Sequence, residues 1–201
     1  MRKLILMVQL SVDGYMSEKD GNTDWMVYNW GSEWTWDDEL RKYFINLTAS
    51  VDCTLLSRKM AVEGYIDYWA SVAANPNDPQ SAFAKNVVAA HKVVFTKTLE
   101  QSEWDNTELA KGDLKKEVKK LKKQEGKNMM VYGGATFVSA LIEAGLIDEY
   151  LLFINPTALG SGTSIFKKRT NLQLVNERSF VCGVTVLKYE KLKVNSRLKI
   201  A

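Results

Sequence analysis

Apolar positions along this chain alternate between two rhythms. Near-continuous apolar runs occupy residues 3–11 (KLILMVQLS), 51–57 (VDCTLLS), 92–96 (KVVFT), 128–132 (NMMVY) and 149–155 (EYLLFIN). Runs of this length read as strands buried on both faces. Between them the spacing changes to every third or fourth residue. Residues 37–49 place Leu40, Phe44 and Leu47 on one side, and residues 80–90 repeat the pattern. A short helix is expected from Arg58 to about Tyr65 and a loop at residues 76–79. Past residue 155 only strand-like patterns remain, at 172–178 and 181–191, separated by a tight turn. Strands alternating with helices predict an α/β fold with a largely parallel sheet, to which a C-terminal hairpin adds antiparallel strands at one edge.

Length and composition narrow this picture. With 201 residues, 46% of them hydrophobic and 25% charged, the chain suits one sizeable core, and a single domain over 1–201 is expected. No apolar run approaches the roughly 18 to 20 residues that span a bilayer, so no membrane association and a cytoplasmic location are expected. Cys53 and Cys182 each sit in an apolar run and are read as free thiols rather than a disulfide framework.

The net charge of +3 raises the question of nucleic acid. Eight lysines and three carboxylates fall within residues 111–127, which leaves the rest of the chain slightly acidic. In that segment Leu114, Val118 and Leu121 recur at helical spacing, so the lysines form the solvated face of an amphipathic helix. No aromatic residue lies among them to stack on a base, and no nucleic-acid partner is expected.

Candidate chemistry gathers behind the strands. Ligands of open α/β sheets bind at the carboxyl ends of strands. Three such ends carry donors or cations: Ser57, Arg58 and Lys59 after the second strand, Thr96 and Lys97 after the third, and Gly133, Gly134, Ala135 and Thr136 after the strand at 128–132. The paired glycines open a helix, whose unpartnered amides and partial positive charge suit a diphosphate. Arg58, Lys59 and Lys97 could hold a ribose 2′-phosphate, which favours NADP over NAD. Each piece alone is equally a tight turn or a surface cation.

The acids available to donate a proton are Asp13, after the first strand, and Asp37, Asp38 or Glu39 at the start of the first helix. Asp13 and Asp38 are the candidate catalytic groups, although a turn and an offset helix dipole account for such residues as well. Residues 25–36 hold Trp25, Trp30, Trp34 and Trp36 with Tyr28 between them. Trp30, Trp36 and Tyr15 are the candidate substrate contacts, through stacking on a flat ring, with a dimer contact as the competing role. A single histidine, His91, and two distant cysteines provide no zinc site, and no metal is expected.

Five segments carry a family resemblance: SVDGYMS (11–17), LLSRKM (55–60) with Tyr68 and Trp69 downstream, VVFTKTL (93–99), VYGGATFVSALIEAGLIDEY (131–150) and NPTALGSGTSIF (155–166). In this order they resemble the dihydrofolate-reductase-like family, in the branch of the riboflavin-biosynthesis deaminase/reductase C-terminal domain. The resemblance implies three layers, with a central, mostly parallel sheet of about eight strands and helices on both faces, NADPH along the carboxyl edge of that sheet, and hydride transfer to a C=N or C=O bond of a pteridine- or pyrimidine-like small molecule. A homodimer is also expected. Departures are Ser57 where the family carries Gly, Met60 where a hydroxyl is common, and Asp24-Trp25 in place of a Pro-Trp pair, which argues against folate itself. Ser57 and Met60 also motivate the alternative of a non-catalytic, nucleotide-binding dimer of the same fold, and the tryptophans motivate a more distant one, an aromatic binding platform.

Overall fold

The computed structural model describes residues 1–192. Its core element is β1 (Leu4–Leu10), seven residues buried without exception. Alternate side chains serve opposite faces: Leu4, Leu6, Val8 and Leu10 join one apolar cluster, while Ile5 and Met7 join the other. A strand apolar on both faces needs a layer of helices on each side. One layer is formed by α1 (Asp38–Ala49), α3 (Tyr65–Ala74) and α4 (Ser81–Ala89), the other by α5 (Leu114–Lys123) and α6 (Ala135–Glu143). A short helix, α2 (Arg58–Val62), follows β2 (Val51–Ser57) directly.

Among the described residues, eight strands form one sheet in the order β4-β3-β2-β5-β1-β6-β8-β7. β3 (His91–Phe95), β4 (Thr107–Ala110), β5 (Asn128–Val131) and β6 (Glu149–Ile154) run parallel to β1 and β2, whereas β8 (Thr185–Lys191) and β7 (Leu172–Ser179) add an antiparallel edge. The expected α/β architecture with a C-terminal hairpin is therefore present. β4 is an addition, because four half-polar residues, TELA, give no periodic signal. α3 is another: it begins at Gly64, which has φ +96° and no side-chain cap, so no capping residue announces it in the sequence.

On the edge of the lysine-rich segment, α5 turns Val118 and Leu121 inward and its lysines outward, as its pattern requires. In α1, Leu40 and Phe44 are buried, but Thr48 rather than Leu47 completes the inward row. The tryptophan segment packs inside. Trp36 has no exposed surface and stacks on Phe153 at 5.6 Å, and Tyr28 and Trp34 join the same cluster with Phe44 and Phe83. A polar chain ties this segment to the sheet: Gln9 donates to the Tyr28 carbonyl, the Tyr28 hydroxyl bonds Gln80, and Asn155 accepts from the Val27 amide at 2.9 Å.

At the opposite, amino-terminal side of β6, Glu149 bridges Lys3 and Lys188, the latter at 2.9 Å. Burial alone would raise the Glu149 carboxyl above its usual 4.5, but hydrogen bonds from Lys3 and Lys188 hold it below that value. A depressed carboxyl stabilises the fold above its unfolded value, and that contribution fades as pH falls through the folded value. Glu149→Gln is expected to lower stability near neutral pH by about 1–2 kcal/mol, the pair being partly solvated. Urea unfolding near neutrality and in acid checks this: the variant should lose less stability on acidification than the parent.

Candidate active site

The sheet order places the three donor-bearing strand ends side by side. β5 lies between β2 and β1, and β3 lies next to β2. The connections leaving β1 and β5 then depart to opposite faces, toward α1 and α6 respectively. Divergence of two neighbouring connections opens a crevice at the carboxyl edge. A cleft of about 650 Å³ occupies that position.

One wall is the β5–α6 turn. Gly134 has φ +58°, a region that favours glycine, and a Cβ there would come within 3.1 Å of Ser57 Oγ. Gly133 is equally close to Met16, whose methyl would lie 3.1 Å from an added Cβ. Asp37, Ser57 and Asp113 cap α1, α2 and α5 with side-chain oxygens, but α6 has no side-chain cap. Its first intrahelical bond runs from the Val138 amide to the Gly134 carbonyl at 2.9 Å. The amides of Ala135, Thr136 and Phe137 thus have no carbonyl one turn back to bond. The glycine pair, the bare helix start and Ser57 form a cradle suited to a diphosphate. Lys59 lines the same cleft, paired with Glu63 at 3.7 Å on the exposed side of α2, while Arg58 is exposed beside it.

The rest of the lining is apolar and aromatic. Met16, Met26, Trp30, Met60, Tyr65, Tyr68, Trp69 and Tyr132 line it. Trp30 links cleft and core: its ring lies 5.2 Å from Tyr28 and 6.3 Å from Trp69, and its backbone has φ +68°. That conformation is strained for a bulky residue and is held by the packing around it. Tyr65 lies 6.2 Å from Tyr132 ring to ring, and its hydroxyl is enclosed without a hydrogen-bond partner. Burial pushes both phenols up, so they stay protonated through the neutral range. Tyr65 and Tyr132 give no warning in the sequence, since an aromatic after a short helix or at a strand end is ordinary core material. Tyr68 and Trp69 belong to a recognisable segment, but only the start of α3 turns them toward the cleft.

Other candidates lie apart from the cleft. The Asp13 carboxylate accepts from Ser11 Oγ at 2.6 Å and from the amides of Leu159 and Gly160 at 3.1 and 2.7 Å. The Ser11 hydroxyl and these amides hold it below the usual carboxylate range, so it ties the loop after β6 to the loop after β1 and carries no proton to give. The same two loops pair again through Ser17 and Thr163, where a Cβ on Gly162 would collide with the Ser17 carbonyl. Asp38 is exposed and pairs with Arg41 at 3.5 Å; Glu39 binds Arg178, and Asp37 caps α1 while accepting the Cys182 amide at 3.0 Å. All three acids serve the α1 start and the hairpin turn.

Trp36, sealed in the core, offers no face to a substrate, and Tyr15 packs beside Gly162 in the paired loops. Thr96 is buried with its hydroxyl accepting the amides of Thr98 and Leu99, both at 3.1 Å, and Lys97 donates to the carbonyls of Lys111 and Gly112 at 2.6 and 2.9 Å. They order the loop after β3 rather than face the cleft. Thr136 is exposed in the first turn of α6.

Comparison with known proteins agrees with this fold. The RibD C-terminal domain family matches residues 2–187, and the chain belongs to it. An uncharacterized protein of Bacillus subtilis (strain 168), YyaP, is 34% identical over 194 residues, covering 94% of each chain. Solved structures share the fold at lower identity. A putative riboflavin biosynthesis protein from Shewanella sp. PV-4 superposes with a TM-score of 0.66 at 19% identity, over 96% of this chain and 100% of the other. A Thermotoga maritima diaminohydroxyphosphoribosylaminopyrimidine deaminase/5-amino-6-(5-phosphoribosylamino)uracil reductase gives 0.63 at 15% identity, over 95% of this chain but 57% of that one.

Gly134→Ala is expected to cost about 1 kcal/mol or more through its positive φ and the contact with Ser57; thermal or urea unfolding measures it. Asp13→Ala should leave the cleft's aromatic wall in place and accelerate hydrogen exchange at the Leu159 and Gly160 amides, as followed by mass spectrometry or NMR.

Proposed function

We propose that this member of the RibD C-terminal domain family is an NADPH-dependent reductase that delivers hydride to a C=N or C=O bond of a flat ring compound. The observation that carries the reading is the pairing, in one cleft, of an uncapped helix start behind two glycines with a wall of stacked rings. Gly133, Gly134, Ala135, Thr136 and Ser57 would hold the diphosphate, with Lys59 and Arg58 toward the 2′-phosphate. Once bound, NADPH would supply the hydride. Trp30, Tyr65, Tyr68 and Trp69 would orient the acceptor ring and exclude water. Pteridine- and pyrimidine-like heterocycles are the acceptors the family resemblance suggests. The reading carries with it a cytoplasmic homodimer.

A second reading has an observation behind it as well: among the described residues the carboxylate lining the cleft is Glu63, exposed and paired with Lys59, and no imidazole lines it. That suits a nucleotide-binding dimer without activity. Saturable NADPH binding with no oxidation across a panel of ring acceptors would favour it.

Trp30 and Trp69 line the cleft and serve as reporters. NADPH titration is expected to quench tryptophan emission saturably, with NADH binding more weakly. Arg58→Gln combined with Lys59→Gln should weaken NADPH about tenfold or more while leaving NADH nearly unchanged. No saturable response to either nucleotide would overturn the cofactor assignment.

A further inference from the structure

The walls of the cleft also bear on what is reduced. Resting on the cofactor reading above, we infer that the acceptor is an uncharged, planar, conjugated carbonyl compound of the quinone type rather than a phosphorylated aminopyrimidine, and that Tyr65 donates a hydrogen bond to its oxygen.

Three observations converge. The first is charge. Among the described residues, the charged side chains lining the cleft are Lys59 and Glu63, which sit exposed on α2 and pair with each other at 3.7 Å. Lys59 is on the cofactor's side, and the inner wall of Met16, Met26, Trp30, Met60 and Trp69 offers a phosphate nothing to offset its lost hydration. The second is the missing carboxylate. The adjacent ring N–H and 6-amino N–H of an aminouracil suit a carboxylate that accepts two parallel bonds. The acids at the start of α1 that could have played that part are spent on Arg41, Arg178 and the Cys182 amide.

The third concerns the proton. Hydride addition to an imine carbon leaves a strongly basic nitrogen anion unless an acid protonates it beforehand. Hydride addition to a quinone leaves a phenolate-like oxygen anion, which is stable enough to wait for solvent. In the balanced step the C4–H bond of the dihydronicotinamide breaks, its electron pair and hydrogen pass to the acceptor, the nicotinamide is oxidised and the quinone reduced, and water at the cleft mouth supplies the remaining proton. Only a neutral hydrogen-bond donor is then required of the protein. Among the cleft-lining described residues, Tyr65 carries the buried polar side-chain atom that lacks a partner, and burial keeps it protonated. The hydroxyl is enclosed, so a small turn of the Tyr65 ring into the cleft would bring it to a carbonyl oxygen there and satisfy both.

The test is a binding measurement on the protein saturated with NADP+, where no turnover occurs, followed by NADPH oxidation. Calorimetry with menadione is expected to show binding at least about a hundredfold tighter than with the phosphoribosylamino-uracil, in line with the cost of seating an unpaired phosphate. Tyr65→Phe, which keeps the ring and removes an unsatisfied hydroxyl, should fold at least as stably as the parent, bind NADP+ unchanged and weaken menadione about fivefold or more. Thr23→Arg, which adds a cation to the cleft lining, should strengthen the phosphorylated ligand about tenfold. Equal or tighter binding of the phosphorylated pyrimidine by the parent, or menadione binding untouched by Tyr65→Phe, overturns the inference while leaving the cofactor assignment standing. Failure of NADP+ and NADPH to bind overturns both.

Discussion

The organising constraint of this molecule is that β1 is apolar on both faces. A seven-residue strand with nothing to show water must be flanked by strands on both edges and covered by helices on both sides. β5 and β6 supply the flanks, and the two helical layers supply the covers. The crevice at the carboxyl edge follows from the same requirement. Connections from β1 and β5 must cross to opposite layers, and where they part the backbone leaves a gap. The cleft is therefore a product of burying β1, and the turn behind β5 is placed at its wall by topology before any ligand is considered.

What fills the gap was chosen by the loops. The loop after β1 is laced to the loop after β6 through Asp13 and through the Ser17–Thr163 bridge, and its aromatic portion is held from below by Gln9, Tyr28, Gln80 and Asn155. A long connection that would otherwise wander over the surface is pinned at several points. Buried polar groups that are mutually satisfied fix a geometry in a way apolar contacts alone do not. The chain thus invests its hydrogen-bonding residues in holding the rim and leaves the cleft's interior to rings and thioethers.

Much of this was legible in the sequence, and the failures have physical causes. Apolar runs identified β1, β2, β3, β5 and β6, because strands buried on both faces carry their signal in composition. The glycine pair at 133–134 identified the start of a helix, and α6 begins there with Gly134 at positive φ. β4 stayed hidden because an edge strand buries little. The roles of polar residues were the least legible. Asp13, Asp38, Thr96 and Lys97 carry the right chemistry at plausible positions, yet each one's partner is a backbone amide, a carbonyl or a side chain set by tertiary placement. Trp36 and Trp30 are six residues apart in the same segment; one is sealed against Phe153 and the other borders the cleft, a difference no local pattern records.

The place of β1 in the sheet also governs when the structure can form. Its neighbours are drawn from residues 128–131 and 149–154, more than a hundred positions downstream of residues 4–10. A nascent chain carries this fully buried strand unpaired until residues 128–131 have been made. Contacts so distant along the chain are slow to close, and an unpaired apolar strand invites association with other chains while it waits. Yield of the folded protein should consequently depend on how residues 4–10 are shielded until those partners are made, and they form a segment suited to a chaperone.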